Sequence, residues 1–433
     1  MANQDGLDNL WIGQWKAATR SREGATDPLP GNRVMTLAAR LVLIRSLSKT
    51  HTSSGRRKAL TMLGIGFTLA GTAYAQAQEV RNGLDVEVPV APVPFHLNDA
   101  LYVGYEVHLT NFSDDRLKIT DLSVRDASDG RQVTDLRDRS LTAATMIVGT
   151  SPKQKAVPEY LEPGQRAVVF LDVALPEGGH TSALTHRITY TVADTDATST
   201  VFTDPLKLST VKPSIIAPPL RGGPWVAIHS TAWPRGHRRV FYTIASHAKL
   251  PGRFAIDFVK VDEQGCLTRG DPDIAAQMYG FGDDVLAVAD ATVVAVRDGM
   301  QDPTKISERT THKPADDAGN YVTLRLPDGR FAFYEHLENG SIRVAVGDKV
   351  TTGKVLGSLG FTGESTGPHL HFHIADANST LNAESLPFEI RNYRQLGQYK
   401  DISRLGTQWD RDEEATVRRN QWPDYNAVVN FDP

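Results

Sequence analysis

The 433-residue sequence predicts an all-β protein with more than one domain. Short runs that alternate polar and apolar residues recur along the chain, and Gly, Pro, Asp and Asn residues separate them. This is the pattern of half-buried strands joined by turns. A proline-rich stretch, Lys212–Pro219, divides the runs into two blocks. The chain also exceeds the usual size of one domain, about 100–200 residues.

Composition narrows the classes of function. The chain is 40% hydrophobic and 23% charged, which is ordinary for a globular protein. Its formal net charge of −4 comes from 47 basic and 51 acidic residues. Because the sequence has no basic stripe, nucleic acid is not expected as a partner. The single cysteine, Cys266, excludes an internal disulfide framework but leaves the cellular compartment open.

Residues 1–75 are predicted to be an N-terminal extension with an export signal. A basic cluster, Arg56–Lys58, precedes the apolar stretch Ala59–Ala70 and an A-x-A site at Ala73–Ala75. These are the three parts of a secretory signal. The apolar stretch falls short of the roughly 20 residues that a membrane span needs. We therefore expect an exported protein, periplasmic or extracellular, without a stable membrane span. A short buried helix is the alternative, and Met35 is an alternative start.

The first β block, residues 82–208, is predicted to be a β-sandwich-like module. Alternating runs occupy Tyr102–Thr110, Ala167–Leu175 and His186–Val192, and polar turn sequences lie between them. Regularly spaced short strands with polar turns are typical of a sandwich. The block contains no catalytic cluster, so we expect a structural or interaction role. A proline-rich linker is predicted at residues 209–224.

The second block, residues 225–390, also has a β rhythm. Asp284–Val296 reads as two β runs, and Asn320–Leu326 and Phe331–His336 flank the pair Asp328-Gly329. An Asp-Gly pair between alternating runs is a strong hairpin signal. We therefore expect an antiparallel β domain with few helices. Residues 391–433 read as a polar tail that either wraps this domain or is loose.

The stretch Gly367–Ile374, GPHLHFHI, carries the most chemical information. Side chains alternate between the two faces of a strand, so the three histidines share one face and the three apolar residues share the other. The histidines are His369, His371 and His373. Imidazole is the most common protein metal ligand and the most common general base. The alternative is a polar strand face exposed to solvent, but 3 of the 13 histidines lying within five residues argues against it.

Three segments in order resemble the lysostaphin-type zinc endopeptidases, which act on peptidoglycan. Phe254–Phe258 resembles the strand whose aspartate binds zinc, and Tyr334–Leu337 resembles the Y-x-H-L segment of the family. The glycine-rich run Gly357–His371 is the most specific of the three. The resemblance spans residues 253–374 and implies an antiparallel lysostaphin-type peptidase domain.

This resemblance implies roles for four residues. Asp257 and His371 would bind zinc, while His336 and His369 would position or deprotonate the attacking water and stabilise the tetrahedral intermediate. The chemistry is coherent, since bound zinc polarises a carbonyl and lowers the pKa of its water towards 7. A neutral imidazole then accepts the proton.

The chain departs from the family pattern at Arg253. The first zinc ligand of the family is a histidine four residues before the aspartate, where this chain has arginine. A guanidinium offers no lone pair to a metal, whereas catalytic zinc usually has three protein ligands. His247, His237 and His373 are the alternatives for a third ligand. Arg253 itself is predicted to bind a substrate carboxylate, because its planar fork suits that geometry.

The sequence therefore predicts an exported zinc metalloendopeptidase that hydrolyses peptide bonds in bacterial peptidoglycan. The alternative is a catalytically degenerate lysostaphin-type domain that binds the cell wall or has a regulatory role. A third interpretation, a lipoyl- or biotin-carrier barrel, shares the β rhythm of Val285–Val293 and Val346–Val350. Such carriers need a lysine at a hairpin tip, which this pattern lacks, and the histidine strand would be unexplained.

Overall fold

The computed structural model describes residues 83–150, 157–178, 181–230, 233 and 236–432. These residues all belong to one compact unit. The predicted export signal, within residues 56–75, lies outside the described residues. In the described part of the chain, no helix has the length and apolar character needed to cross a membrane.

Strands dominate the described residues, as the sequence predicted. The strands, numbered β1 to β26 in chain order, are Leu84–Glu87, Phe95–Leu97, Ala100–Asn111, Leu117–Asp126, Gln132–Arg137, Thr145–Ile147, Arg166–Ala174, Ala183–Val192, Thr198–Phe202, Leu206–Lys207, Ser214–Ile216, Gly222–Ile228, Tyr242–Ile244, His247–Lys249, Ile256–Lys260, Asp284–Leu286, Ala291–Arg297, Tyr321–Arg325, Phe331–Glu335, Lys349–Val350, Val355–Ser358, Leu370–Ala375, Ser385–Leu386, Phe388–Gln398, Asp410–Gln421 and Ala427–Phe431. The α-helix α1 spans Asp138–Ala144, and short 3-10 helices lie at His237–Arg239, Ala275–Gln277, Ile306–Glu308, Pro314–Asp316 and Ile402–Arg404.

The N-terminal domain contains two antiparallel sheets. One has the order β1-β3-β7-β6, with β2 also paired to β3, and the other has the order β10-β8-β4-β5, with β9 also paired to β8. Apolar side chains from both sheets, such as Val103 of β3 and Ile188 of β8, form one buried cluster. In β8 the burial alternates along the strand, because every second side chain faces that cluster. This arrangement is compatible with the predicted sandwich.

The second domain is built on a large sheet with the order β11-β24-β26-β12-β15-β22-β19-β18-β17-β20. Its pairs are antiparallel except for β11 and β24, which are parallel. The predicted hairpin forms between β18 and β19, and Gly329 takes a φ of 86° in its turn. The histidine strand is β22, and it lies between β15 and β19 in the middle of the sheet. Three strands therefore bring the candidate residues together.

Two predicted boundaries differ from the structure. Residues 391–433 are not a separate tail, because they supply most of β24 and all of β25 and β26, and β26 pairs with both β12 and β24. Trp409 and Trp422 are buried beneath these strands. The predicted linker contains β11 and the start of β12. The charged residues of β25 made this segment resemble a polar tail, because a solvent-facing edge strand has a polar sequence.

The two domains share a hydrophobic core. Phe95 and Leu97 of β2 belong to the N-terminal domain, yet they lie in the main cluster of the second domain. The Phe95 ring contacts Phe254 and Trp422 edge-on, at centroid distances of 5.6 and 5.4 Å. Such edge-to-face contacts add to the stabilisation from buried area. The sandwich is thus packed against the second domain rather than joined to it only by a chain segment.

Candidate metal and catalytic centre

Strand β22 presents its histidines inside the protein. Its apolar side chains, Leu370, Phe372 and Ile374, lie in the main hydrophobic cluster, as the alternation predicted. The opposite face, which carries His371 and His373, is also buried. Polar groups buried in this way need partners. The surrounding strands supply most of them.

Asp257 is the nearest partner of His371. The two residues are directly opposite each other on β15 and β22, and this register brings their side chains together. Nδ1 of His371 lies 2.9 Å from Oδ1 of Asp257. Burial tends to raise the pKa of Asp257, but the imidazoles of His237 and His369 outweigh it and hold this pKa well below its usual value. Asp257 is therefore a buried, ionised carboxylate.

His237 supplies a third donor. Its Nε2 lies 2.7 Å from Oδ2 of Asp257, and its ring centroid lies 4.6 Å from that of His371. The donor atoms of these three residues all lie within 4.8 Å of one another. Two imidazole nitrogens and one carboxylate oxygen suit a zinc ion with one open coordination position. The residues present therefore fit the metal that the sequence resemblance implies.

A glycine permits this approach. His237 lies in a 3-10 turn, and its backbone passes directly over Gly252. A Cβ added to Gly252 would lie 2.8 Å from both the Cβ and the carbonyl oxygen of His237. Any larger residue at this position would force the turn or the backbone at residue 252 to shift. Because Gly252 has no side chain, His237 can approach Asp257 from another part of the chain.

His336 and His369 stand beside this group. Nδ1 of His336 donates to the carbonyl oxygen of Thr362 at 2.8 Å, and Nδ1 of His369 donates to that of Gly367 at 2.8 Å. Their ring centroids are 4.8 Å apart. His336 has a φ of 64°, which is uncommon for a residue with a side chain and marks it as a site worth attention. In each ring the backbone contact engages Nδ1, so Nε2 is available to interact within the site.

The two flanking histidines have opposite pKa shifts. Burial, reinforced by the imidazoles of His369 and His371, holds the pKa of His336 well below its usual value. Burial also lowers the pKa of His369, but the Asp257 carboxylate outweighs this effect, so the pKa of His369 is raised. Neighbouring groups with divergent pKa values are the usual arrangement for an acid and a base.

The other two candidate ligands do not join the cluster. His247 is exposed on β14, opposite Ile244 of β13. Strand β14 pairs with β13 in a separate two-stranded sheet. The His373 ring stacks on Phe333 at 4.6 Å. Neither of its ring nitrogens has a hydrogen-bond partner among the described residues. Among the described residues, neither histidine belongs to a group of converging donors.

The structure contradicts the predicted substrate contact of Arg253. This side chain is 6% exposed and lies in a network of carboxylates. Its Nε donates to Glu106 at 2.9 Å, and its Nη1 donates to Glu384 at 2.8 Å. Since both donors are occupied inside the protein, the fork is not presented to a substrate. Arg253 has a structural partner in the N-terminal domain instead.

The fold brings to this centre further residues that the sequence motifs did not indicate. Glu335 lies opposite His371, and its Oε1 has no hydrogen-bond partner among the described residues. Burial, together with Asp257 and Asp317, raises its pKa to about 8. Its position before His336 was the signal that could have drawn attention to it. Glu106 carried no such signal, because 147 positions separate it from Arg253.

A family model matches the centre of the second domain. Residues 273–383 match the model of Peptidase family M23. This range contains His336, His369 and His371 and begins after Asp257. The match confirms the resemblance to lysostaphin-type peptidases that the sequence motifs indicated.

Curated relatives align over short regions. The chain is 31% identical over 120 residues to the peptidoglycan DD-endopeptidase ShyC of Vibrio cholerae, which covers 28% of this chain and 25% of ShyC. It is 39% identical over 66 residues to the peptidoglycan DD-endopeptidase ShyA of the same organism, which covers 15% of each chain. The chain thus spans a quarter or less of the length of these relatives.

Two solved structures are also similar. The catalytic domain of lysostaphin from Staphylococcus simulans is 25% identical, with 29% of this chain and 86% of that domain covered and a TM-score of 0.19. A zinc-containing peptidase from Vibrio cholerae is 14% identical, with 69% of this chain and 84% of that chain covered and a TM-score of 0.19.

Proposed function

We propose that this chain, whose residues 273–383 match the model of Peptidase family M23, is an exported zinc endopeptidase that hydrolyses peptide bonds in peptidoglycan. One observation carries the proposal: His237 completes a three-donor group with Asp257 and His371. Without His237 the family pattern would lack a ligand, because Arg253 replaces the expected histidine. With it, the centre has the ligand number of a catalytic zinc site.

The proposed metal ligands are Nε2 of His237, a carboxylate oxygen of Asp257 and Nδ1 of His371. When bound there, zinc supplies Lewis-acid polarisation of the scissile carbonyl and lowers the pKa of a water molecule. The ionised state of Asp257 suits this role, since a metal ligand must be deprotonated. The low pKa of His371, about 4 because of burial, likewise keeps its imidazole neutral.

His336 acts as the general base in this proposal. Its Nδ1 hydrogen bond to Thr362 fixes the tautomer, so Nε2 carries the lone pair. Its lowered pKa keeps that lone pair available at neutral pH. His369 acts as the acid and hydrogen-bond donor. The Asp257 carboxylate, 3.4 Å from Nε2 of His369, favours its protonated form, which stabilises negative charge on the carbonyl oxygen and protonates the leaving amine.

Peptidoglycan as the substrate rests on the relatives and on the predicted export signal. ShyC and ShyA are named as peptidoglycan DD-endopeptidases, and they align with this chain at 31% and 39% identity. An export signal at residues 56–75 would bring the chain to the compartment where the cell wall lies. We therefore propose cross-linked peptides of the wall as the substrate class.

The test is zinc content per chain, measured by elemental analysis of the purified full chain after mild dialysis. We expect about one zinc per chain in the wild type, as for a structured zinc site. His237→Ala should lose this zinc, whereas His247→Ala, which removes an exposed histidine ten positions away, should keep it. Hydrolysis of purified cell-wall peptides should follow the zinc content.

Two outcomes would favour the degenerate alternative. A wild-type chain that retains no zinc after loading and gentle removal of the excess would mean that His237 does not replace the missing ligand. Retained zinc without hydrolysis of any wall peptide would leave a metal-bound domain that binds the wall without cutting it. In either case the alternative, a wall-binding or regulatory domain, becomes the better assignment.

A further inference from the structure

The segment that carries His237 lies between β12 and β13, and none of its described residues belongs to a sheet. Within its own domain, His237 lies against Gly252 and Trp233 packs against a buried cluster. Its local backbone bonds are short-range, such as the one from the Arg239 amide to the Gly236 carbonyl at 2.8 Å. Metal sites need ligands held within a few tenths of an ångström. Something outside this segment must therefore hold His237 in place.

Arg238, the next residue, is anchored in the N-terminal domain. Its side chain is 5% exposed and contacts strands β3 and β7 of the sandwich. Its Nε donates to Glu106 at 3.3 Å, its Nη2 donates to the Leu171 carbonyl at 2.7 Å, and its Nη1 donates to Asp172. Nη2 also lies 3.3 Å from the Tyr105 carbonyl. These contacts use the guanidinium fork almost completely.

Glu106 connects this anchor to the other side of the centre. Its Oε1 accepts from Arg238 and its Oε2 accepts from Arg253 at 2.9 Å. His237 and Gly252 are the two residues that approach each other closely. Arg238 follows His237 in the chain, and Arg253 follows Gly252. The buried Glu106 carboxylate therefore links the two backbone segments whose contact places His237 beside Asp257.

The geometry points to a composite metal site, in which Glu106 and Asp172 of the N-terminal sandwich are positioning residues for the ligand His237. This inference rests on the proposed function and adds a role for the sandwich. Arg253, which stands where the family has its first ligand, then binds the N-terminal sandwich. The sandwich in turn holds the substitute ligand, His237, in place. Outer partners of metal ligands commonly change metal affinity by about 10–100-fold when removed.

The sandwich also contacts the second domain away from this centre, which offers a control contact between the same domains. Asp99 pairs with Arg418 and accepts from Gln421, so Asp99→Asn weakens a charged contact between the same two domains. Asp99 has a φ of 61°, a conformation that asparagine also tolerates. The Asp99 side chain is 72% exposed and that of Glu106 only 4%, so Asp99→Asn is the milder change at the domain contact, and loss of positioning affects only Glu106→Gln.

The experiment measures the zinc dissociation constant of the full chain by competition with a chromogenic chelator. We expect Glu106→Gln to weaken zinc binding by about 10–100-fold and Asp99→Asn to leave it unchanged. In a His237→Ala background, Glu106→Gln should cause no further loss, because Glu106 acts through His237. Asp172→Asn, which leaves the contact between Glu106 and Arg253, provides a second variant if Glu106→Gln does not fold.

The outcomes separate this inference from the proposed function. If the wild type binds zinc and both Glu106→Gln and Asp172→Asn bind it equally well, the composite site is refuted while the zinc peptidase stands. Equal losses in Asp99→Asn and Glu106→Gln would also refute it. A wild type that binds no zinc would overturn the proposed function and this inference together.

Discussion

The close approach of His237 to Gly252 makes Gly252→Ala a sensitive probe of the metal site. The added Cβ would lie 2.8 Å from two atoms of His237, one of them a backbone oxygen. Favourable carbon contacts need about 3.5–4.0 Å, so the turn must move by about 0.7 Å or more. Metal–ligand distances tolerate about 0.2 Å. The displacement exceeds this tolerance, and we expect zinc binding to weaken by about 10–100-fold, or about 1.4–2.8 kcal/mol.

The assay is chelator competition at fixed pH, with urea unfolding of the metal-free protein alongside it. Gly357→Ala is the matched control, since its added Cβ would lie 3.3 Å from the Ser341 hydroxyl and 3.4 Å from the Ile342 Cα. Overpacking costs about 1–3 kcal/mol, so some loss of stability is expected for Gly252→Ala. A Gly252→Ala protein with wild-type zinc affinity would refute the role of His237 as a ligand.

Three further predictions test the site and the fold. His371→Ala should abolish zinc retention, whereas His369→Ala should keep about one zinc per chain and lose peptidase activity; equal zinc content in His371→Ala and the wild type would contradict the ligand assignment. Phe372→Ala should lower the free energy of unfolding by about 3–5 kcal/mol, because its ring is fully buried, and urea unfolding measures this. Burial lowers the pKa of His186 to about 4, so the unfolded chain takes up a proton below pH 6.5 while the folded chain does not. His186 should therefore contribute a fall in stability of on the order of 3 kcal/mol between pH 6.5 and 4, and His186→Gln should show a shallower fall.

Local patterns in the sequence determined much of this protein. Alternation predicted β3, β7, β8 and the histidine strand, and the Asp-Gly pair predicted the hairpin between β18 and β19. These features depend on neighbours in the chain, because side-chain alternation and turn chemistry are local. The motif order also indicated the M23 domain, and the family match confirms it.

Only the tertiary structure decided which histidine stands beside Asp257. The sequence left three alternatives, and His237 reaches the carboxylate because Gly252 lets two backbone segments approach closely. The sequence likewise could not show that Arg253 donates a hydrogen bond to the Glu106 carboxylate. Contacts between residues 20 to 147 positions apart depend on how strands pair and how the domains pack, and no local pattern carries that information. The same reason explains the apparent polar tail, whose strands acquire their role only when β26 pairs with β12.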